Sequence, residues 1–118
     1  MSKTQIGGNA VDKRTMTASL PVSGDTPVRR LAGAVWKFVQ EGYSVDLRAM
    51  GAGAISQAVK AAIVTRMMAA GHGKDVHLVP TFEDVVINNE TRTLVRFYFL
   101  VRSLSAAVPR PGVIDEQA

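Results

Sequence analysis

The sequence predicts a two-layer α/β domain, a mixed four-stranded sheet carrying two helices on one face in the order βαβαββ. Three observations lead there. Two segments with helical spacing each follow a short strand-like run, which is the βαβ pattern of parallel neighbours. A long extended stretch then doubles back at Asn88-Asn89. Finally, 118 residues, 47% of them apolar, are enough for one core and too few for two.

Thr15 to Val22 reads as the first strand, closed by Ser23-Gly24-Asp25. Thr26 is the expected N-cap of the first helix, with Pro27 at the first helical position, where a missing N–H costs nothing. Val28, Leu31, Val35 and Val39 form its apolar face, Arg29, Arg30 and Lys37 lie elsewhere on it, and Gly42 is the expected C-cap. Trp36 falls opposite the core-facing positions, which makes it a candidate interface or stacking residue, with peripheral packing as the alternative. Ser44 to Met50 alternates Val45, Leu47 and Ala49 against Asp46 and Arg48, a second strand in which Arg48 is expected to pair with a carboxylate. The second helix is expected from about Ala54 to Ala70. Ile55, Val59, Ala62, Ile63 and Met67 repeat on its expected core face, and its alanines allow a close neighbour.

Asp75 to Ile87 reads as a third strand in which Pro80 marks an edge or a bulge. Asn88-Asn89 tolerates the positive φ of a tight turn. Arg92 to Arg102 returns with Val95, Phe97, Phe99 and Val101 alternating. With both helices on one face, Tyr98, Leu100 and the apolar residues of Val85 to Ile87 are expected to be partly exposed, and a homodimer would cover them. The expected organisation is a tail over 1–14, a domain over 15–104 and a second tail over 105–118.

Composition narrows the chemistry. There is no cysteine, hence no disulfide framework and no thiolate. This suits a reducing cytoplasm, and the absence of a long apolar run argues against a membrane partner. The net charge of +4 is spread as +2 over residues 1–14, +3 over 15–102 and −1 over the rest. A balance of this kind attracts polyanions only weakly. His72 and His77 lack a third ligand at metal-binding spacing, so no metal is expected. Ser19, Ser23 and Ser56 have no His and acid at motif spacing. Glu83-Asp84 point to opposite faces of a strand and suit an edge better than catalysis. No enzymatic activity and no cofactor are expected.

Between the second strand and second helix stands Met50-Gly51-Ala52-Gly53-Ala54-Ile55-Ser56-Gln57-Ala58-Val59-Lys60. As a dinucleotide fingerprint it lacks the third glycine, and Asp75, at the right spacing, starts its strand rather than ending it. Two readings stay open. The exposed N–H groups of a helix N-terminus favour an anion such as a phosphate, or the glycines serve only a tight turn and close packing.

With Pro80-Thr81-Phe82 and the Arg92-Thr93 that opens the last strand, this run resembles the stage V sporulation protein S family, small bacterial proteins with an Alba-like fold. The resemblance spans roughly Met16 to Arg102. It implies a cytoplasmic or nucleoid-associated regulator that binds DNA or RNA without sequence preference, as a homodimer or tetramer, in sporulation or a related developmental process. In Alba proteins the loop before the first helix, the turn before the second and the hairpin arm approach nucleic acid. They correspond here to Ser23–Thr26, Gly51–Gly53 and about Glu83–Arg92. The residue types depart from Alba, since its paired lysines are replaced by Asp25 and Thr26, and its flanking arginines by Gly51 and Gly53. The candidate nucleic-acid-binding residues are therefore Arg29, Arg30, Gly51, Ala52, Gly53, Lys60, Arg92 and Arg96, each with a solvated surface role as the alternative. Trp36, Tyr98 and Leu100 are the interface candidates. An assembly module without nucleic acid, and a small nucleotide- or phosphate-binding domain, are the rival readings.

Overall fold

The computed structural model describes residues 8–104. Its elements are β1 (Ala10–Asp12), β2 (Thr17–Val22), α1 (Val28–Gln40), β3 (Ser44–Ala49), α2 (Ala52–Ala70), β4 (Lys74–Ile87) and β5 (Glu90–Ser103). The sheet order is β1-β2-β3-β5-β4, with β2 and β3 parallel and the other pairs antiparallel. The sheet thus has five strands rather than the expected four. The added strand lies inside the segment expected as a tail. Three residues of β1 pair with β2 through the backbone after a turn in which Arg14 N donates to Asp12 Oδ1 at 2.8 Å. Residues 1–7 and the expected tail over 105–118 lie outside the described residues.

Alternation decides which side chains enter the core. Ala18, Leu20 and Val22 of β2 stand beside Val45, Leu47 and Ala49 of β3, and Leu47 and Ala49 face Phe97 and Val95 of β5. These side chains share one cluster with Leu31, Ala32 and Val35 of α1 and the alanines of α2, so both helices cover the same face. Fully burying a side chain such as Leu47 contributes about 1.5–3 kcal/mol.

The second helix turns a different face inward from the one its large side chains suggest. Ala54, Ala58, Ala61, Ala62, Thr65 and Ala69 are buried, whereas Ile63 and Met67 are each 53% exposed and Val59 is exposed beside them. Small side chains let α1 and α2 approach closely, and dispersion over that seam outweighs burying the larger residues. Thr65 sits in the seam without an orphaned hydroxyl, because its Oγ1 donates to Ala61 O at 2.9 Å.

Helix ends also differ in detail. The N-cap of α1 is Pro27, while Thr26 Oγ1 accepts from Ser23 N at 2.8 Å and so shapes the preceding loop. Glu41 is the C-cap, and Gly42, at φ 90°, is the residue beyond it. In α2 the helix begins at Ala52, with Gly51 as N-cap. Trp36 is half-buried against the core rather than opposite it, its ring 5.1 Å from that of His72.

Beyond the sheet, β4 and β5 continue as a pair. β3 meets β5 only from Asp46↔Tyr98 to Ala49↔Val95, whereas β4 and β5 remain paired out to Ile87↔Glu90. Residues 83–94 therefore form a two-stranded arm, closed by Asn88 and Asn89 at φ 52° and 65°. Pro80 lies on β4, an edge strand, where its lack of an N–H is tolerated.

Candidate nucleic-acid interface

Parallel β2 and β3 end side by side at Val22 and Ala49, so the chain leaves both at the same end of the sheet. Each exit leads straight into a helix. The two loops touch: a Cβ placed on Gly53 would lie 3.5 Å from Gly24 Cα. Gln57 Nε2 ties them together by donating to Thr26 O at 2.8 Å. Ahead of Leu31 in α1 and Ile55 in α2, the first N–H groups have no intrahelical acceptor. Neither helix has a side-chain cap or a carboxylate in its first turn. Two positive dipole ends consequently point out of one edge, with the Asp25 carboxylate in the loop before α1 opposing them.

Gly51 is what allows the second turn. Its φ of 91° and ψ of 160° lie in a region that essentially only glycine enters. Gly51→Ala should lower stability by about 1–3 kcal/mol from backbone strain alone, since a Cβ there meets no other atom. Urea unfolding of the variant checks this.

Of the expected site residues, Arg29, Arg30, Gly51, Ala52 and Gly53 are brought together and exposed. Lys60 is exposed further along α2, and Arg92 is exposed on the arm, which projects from the same end of the sheet. Arg96 is held apart. It lies on the helix-free face, where its Nε donates to Asp46 Oδ1 at 3.0 Å and its Nη1 is 3.1 Å from Glu83 Oε1. Burial works against its charge, but those two carboxylates hold its pKa above the ordinary guanidinium value. An arginine so engaged is a poor partner for phosphate.

Directly opposite Arg96 stands Arg48. Instead of pairing with a carboxylate, its Nη2 donates to Gly8 O at 2.7 Å and lies 3.4 Å from Ser19 O. Burial, and then the facing Arg96, push its pKa down against the pull of Asp46 and Glu83. Asp46 completes the group by accepting from Ser19 Oγ at 2.5 Å. Tyr98 and Leu100, each 40% exposed, flank this cluster with Val79 and leave the helix-free face partly apolar, as expected.

Two features escaped the sequence reading. One is the ion pair between Arg66 and Asp75, with Arg66 Nε 2.6 Å from Asp75 Oδ1. The other is Phe82, at 79% the most exposed large apolar side chain among the described residues. Its ring stands on the helix-bearing side, but β4 is the edge strand and Phe82 pairs with Val95 where the β3–β5 ladder ends, so few neighbours cover it. Among the described residues no cluster suited to a metal ion occurs. No described helix is long and apolar enough to cross a membrane.

Fold and site together define a small two-layer α/β domain with two helix N-termini and a hairpin arm gathered at one end of the sheet. A model of the stage V sporulation protein S family matches residues 18–102. The chain belongs to that family, and the match runs from the second residue of β2 to the last but one of β5.

Proposed function

We propose that the chain is a non-enzymatic regulatory protein that binds DNA or RNA as a homo-oligomer and acts in sporulation or a related developmental or nucleoid process. The observation that supports it best is the common end of the sheet, where two uncapped helix N-termini, Arg29, Arg30 and the arm bearing Arg92 converge. Backbone N–H groups at helix ends bind phosphate without reading bases. Binding should therefore be nearly independent of sequence. With about three to five phosphates neutralised, the log-log dependence of affinity on salt should have a slope of about −3 to −5 on duplex DNA. The partly apolar helix-free face around Tyr98 and Leu100 supports self-association. Titration at several salt concentrations, with sedimentation at tens of micromolar, tests both parts. A monomer would remove the oligomer, and no binding at about 50 mM salt would remove the nucleic-acid function.

A second reading, an assembly module without nucleic acid, is favoured by the outward row of Val59, Ile63 and Met67 on α2. An oligomer that binds neither DNA nor RNA is the result expected of it.

A further inference from the structure

The root of the arm carries an apolar hollow of about 380 Å³, lined by Pro80, Thr81, Phe82, Val95 and Phe97. Pro80 faces Phe97 and Phe82 faces Val95 across the β4–β5 ladder, so these four side chains stand on the helix-bearing side of the sheet. Phe97 is buried and forms the floor, while Phe82 stands at the rim with most of its ring in solvent.

We propose that this hollow holds one unpaired base of a single-stranded DNA or RNA, stacked on Phe82, with the adjoining phosphate at the N-terminus of α2. The inference rests on the nucleic-acid reading above and adds to it the form of nucleic acid preferred. Register supplies the geometry. Val95 is paired with Ala49, the last residue of β3, and only Met50 separates Ala49 from Gly51 at the start of the helix. One strand spacing, about 4.8 Å, plus two residues of chain therefore lies between the hollow and the uncapped N–H groups. A single sugar joins base and phosphate over a comparable distance.

Charge points the same way. The first turns of both helices lack carboxylates, and Arg29 and Arg30 flank them. Two carboxylates bound the site. Asp25 lies in the loop before α1, and Asp84 lies on the same side of the arm as Phe82, its Oδ1 accepting from Thr93 Oγ1 at 2.7 Å. Asp84 repels phosphates from the face of the arm that carries Phe82 and leaves the helix ends as their place on that side, while Arg92 lies on the arm's other face. A base inside a duplex cannot reach the ring, so stacking separates single strands from double ones. A second copy of the chain is a worse occupant. Five residues are far fewer than the roughly 20–30 a side that a stable protein interface uses.

The test uses the full chain with an oligothymidine, an abasic oligomer of equal length and a duplex at one salt concentration. Phe82→Ala should weaken oligothymidine binding by about tenfold, within the range measured for losing a base–aromatic stack. It should leave the abasic oligomer and the duplex unchanged. Phe82→Trp should restore affinity, with quenching of fluorescence beyond that of the parent, whose only tryptophan is Trp36. Because Phe82 is so exposed, both variants should keep the parent's melting temperature. If the parent binds duplex or single strands and Phe82→Ala does not alter oligothymidine affinity, the stacking proposal is wrong and the wider function stands. Equal losses on the abasic oligomer also overturn it, as does a Phe82→Ala variant that only dissociates the oligomer. A parent that binds no nucleic acid overturns both.

Discussion

Gly53→Asp should fold like the parent and bind DNA or RNA at least tenfold more weakly at low salt. The backbone at this position is not left-handed, and the new Cβ meets Gly24 Cα at 3.5 Å, an ordinary contact. A carboxylate in the first turn should favour the helix by about 0.3–1 kcal/mol, which offsets crowding against the neighbouring loop. The same carboxylate occupies the position proposed for a phosphate and repels it. Ser56→Asp is the control, since it adds the same charge to an exposed site beyond the first turn. Gln57→Ala is unsuitable, because the amide of Gln57 holds the loop before α1. Equal affinity of folded Gly53→Asp and parent would make the glycine turn purely structural.

The largest loss of stability from one polar substitution is expected at Arg66. Asp75 is 1% exposed, and besides Arg66 it accepts from its neighbour Val76 N at 2.9 Å and lies 3.3 Å from His77 Nε2. The hydrogen bond from Arg66 is the main reason its pKa lies below the usual carboxylate value, with burial opposing. Arg66→Ala leaves a buried carboxylate short of its main partner and should cost about 2–4 kcal/mol, near the lower part of the range for broken buried pairs because Arg66 is partly solvated. Asp75→Asn should cost less, since the remaining guanidinium reaches water. Because the folded pKa is depressed, this contribution is complete above the unfolded value of about 3.9 and is lost as pH falls from there through the folded value. Urea midpoints measured at neutral pH and near pH 3 check both claims. Equal midpoints for Arg66→Ala and the parent would show that the pair contributes nothing.

How much could be read in advance depended on whether a feature was local. Alternation in β3 and β5, the spacing of Leu31 and Val35 in α1, and Asn88-Asn89 all act over a few residues, and each appears where expected. The buried face of α2 was hidden because apolar side chains surround that helix, and only the packing of α1 selects the alanines. Three residues of β1, held through their backbone, leave no side-chain pattern to read. At the site, the tight glycine turn at Gly51–Gly53 was legible, but the approach of Gly53 to Gly24 was not. That contact depends on β2 and β3 lying parallel in register. Arg96 looked like a free cation until the sheet placed Asp46, fifty residues away in sequence, beside it.

The arm has a mechanical consequence. Past Leu94 each strand bonds to a single neighbour, and two-stranded ribbons are marginal in water without further support. Opening the tip therefore disturbs neither the alanine seam nor the three-strand junction at Val95, so its free energy is separate from that of global unfolding. The hairpin is a compliant lever on a stiff base. Whatever seats beneath it meets a surface that bends to fit while the helix ends below keep their spacing.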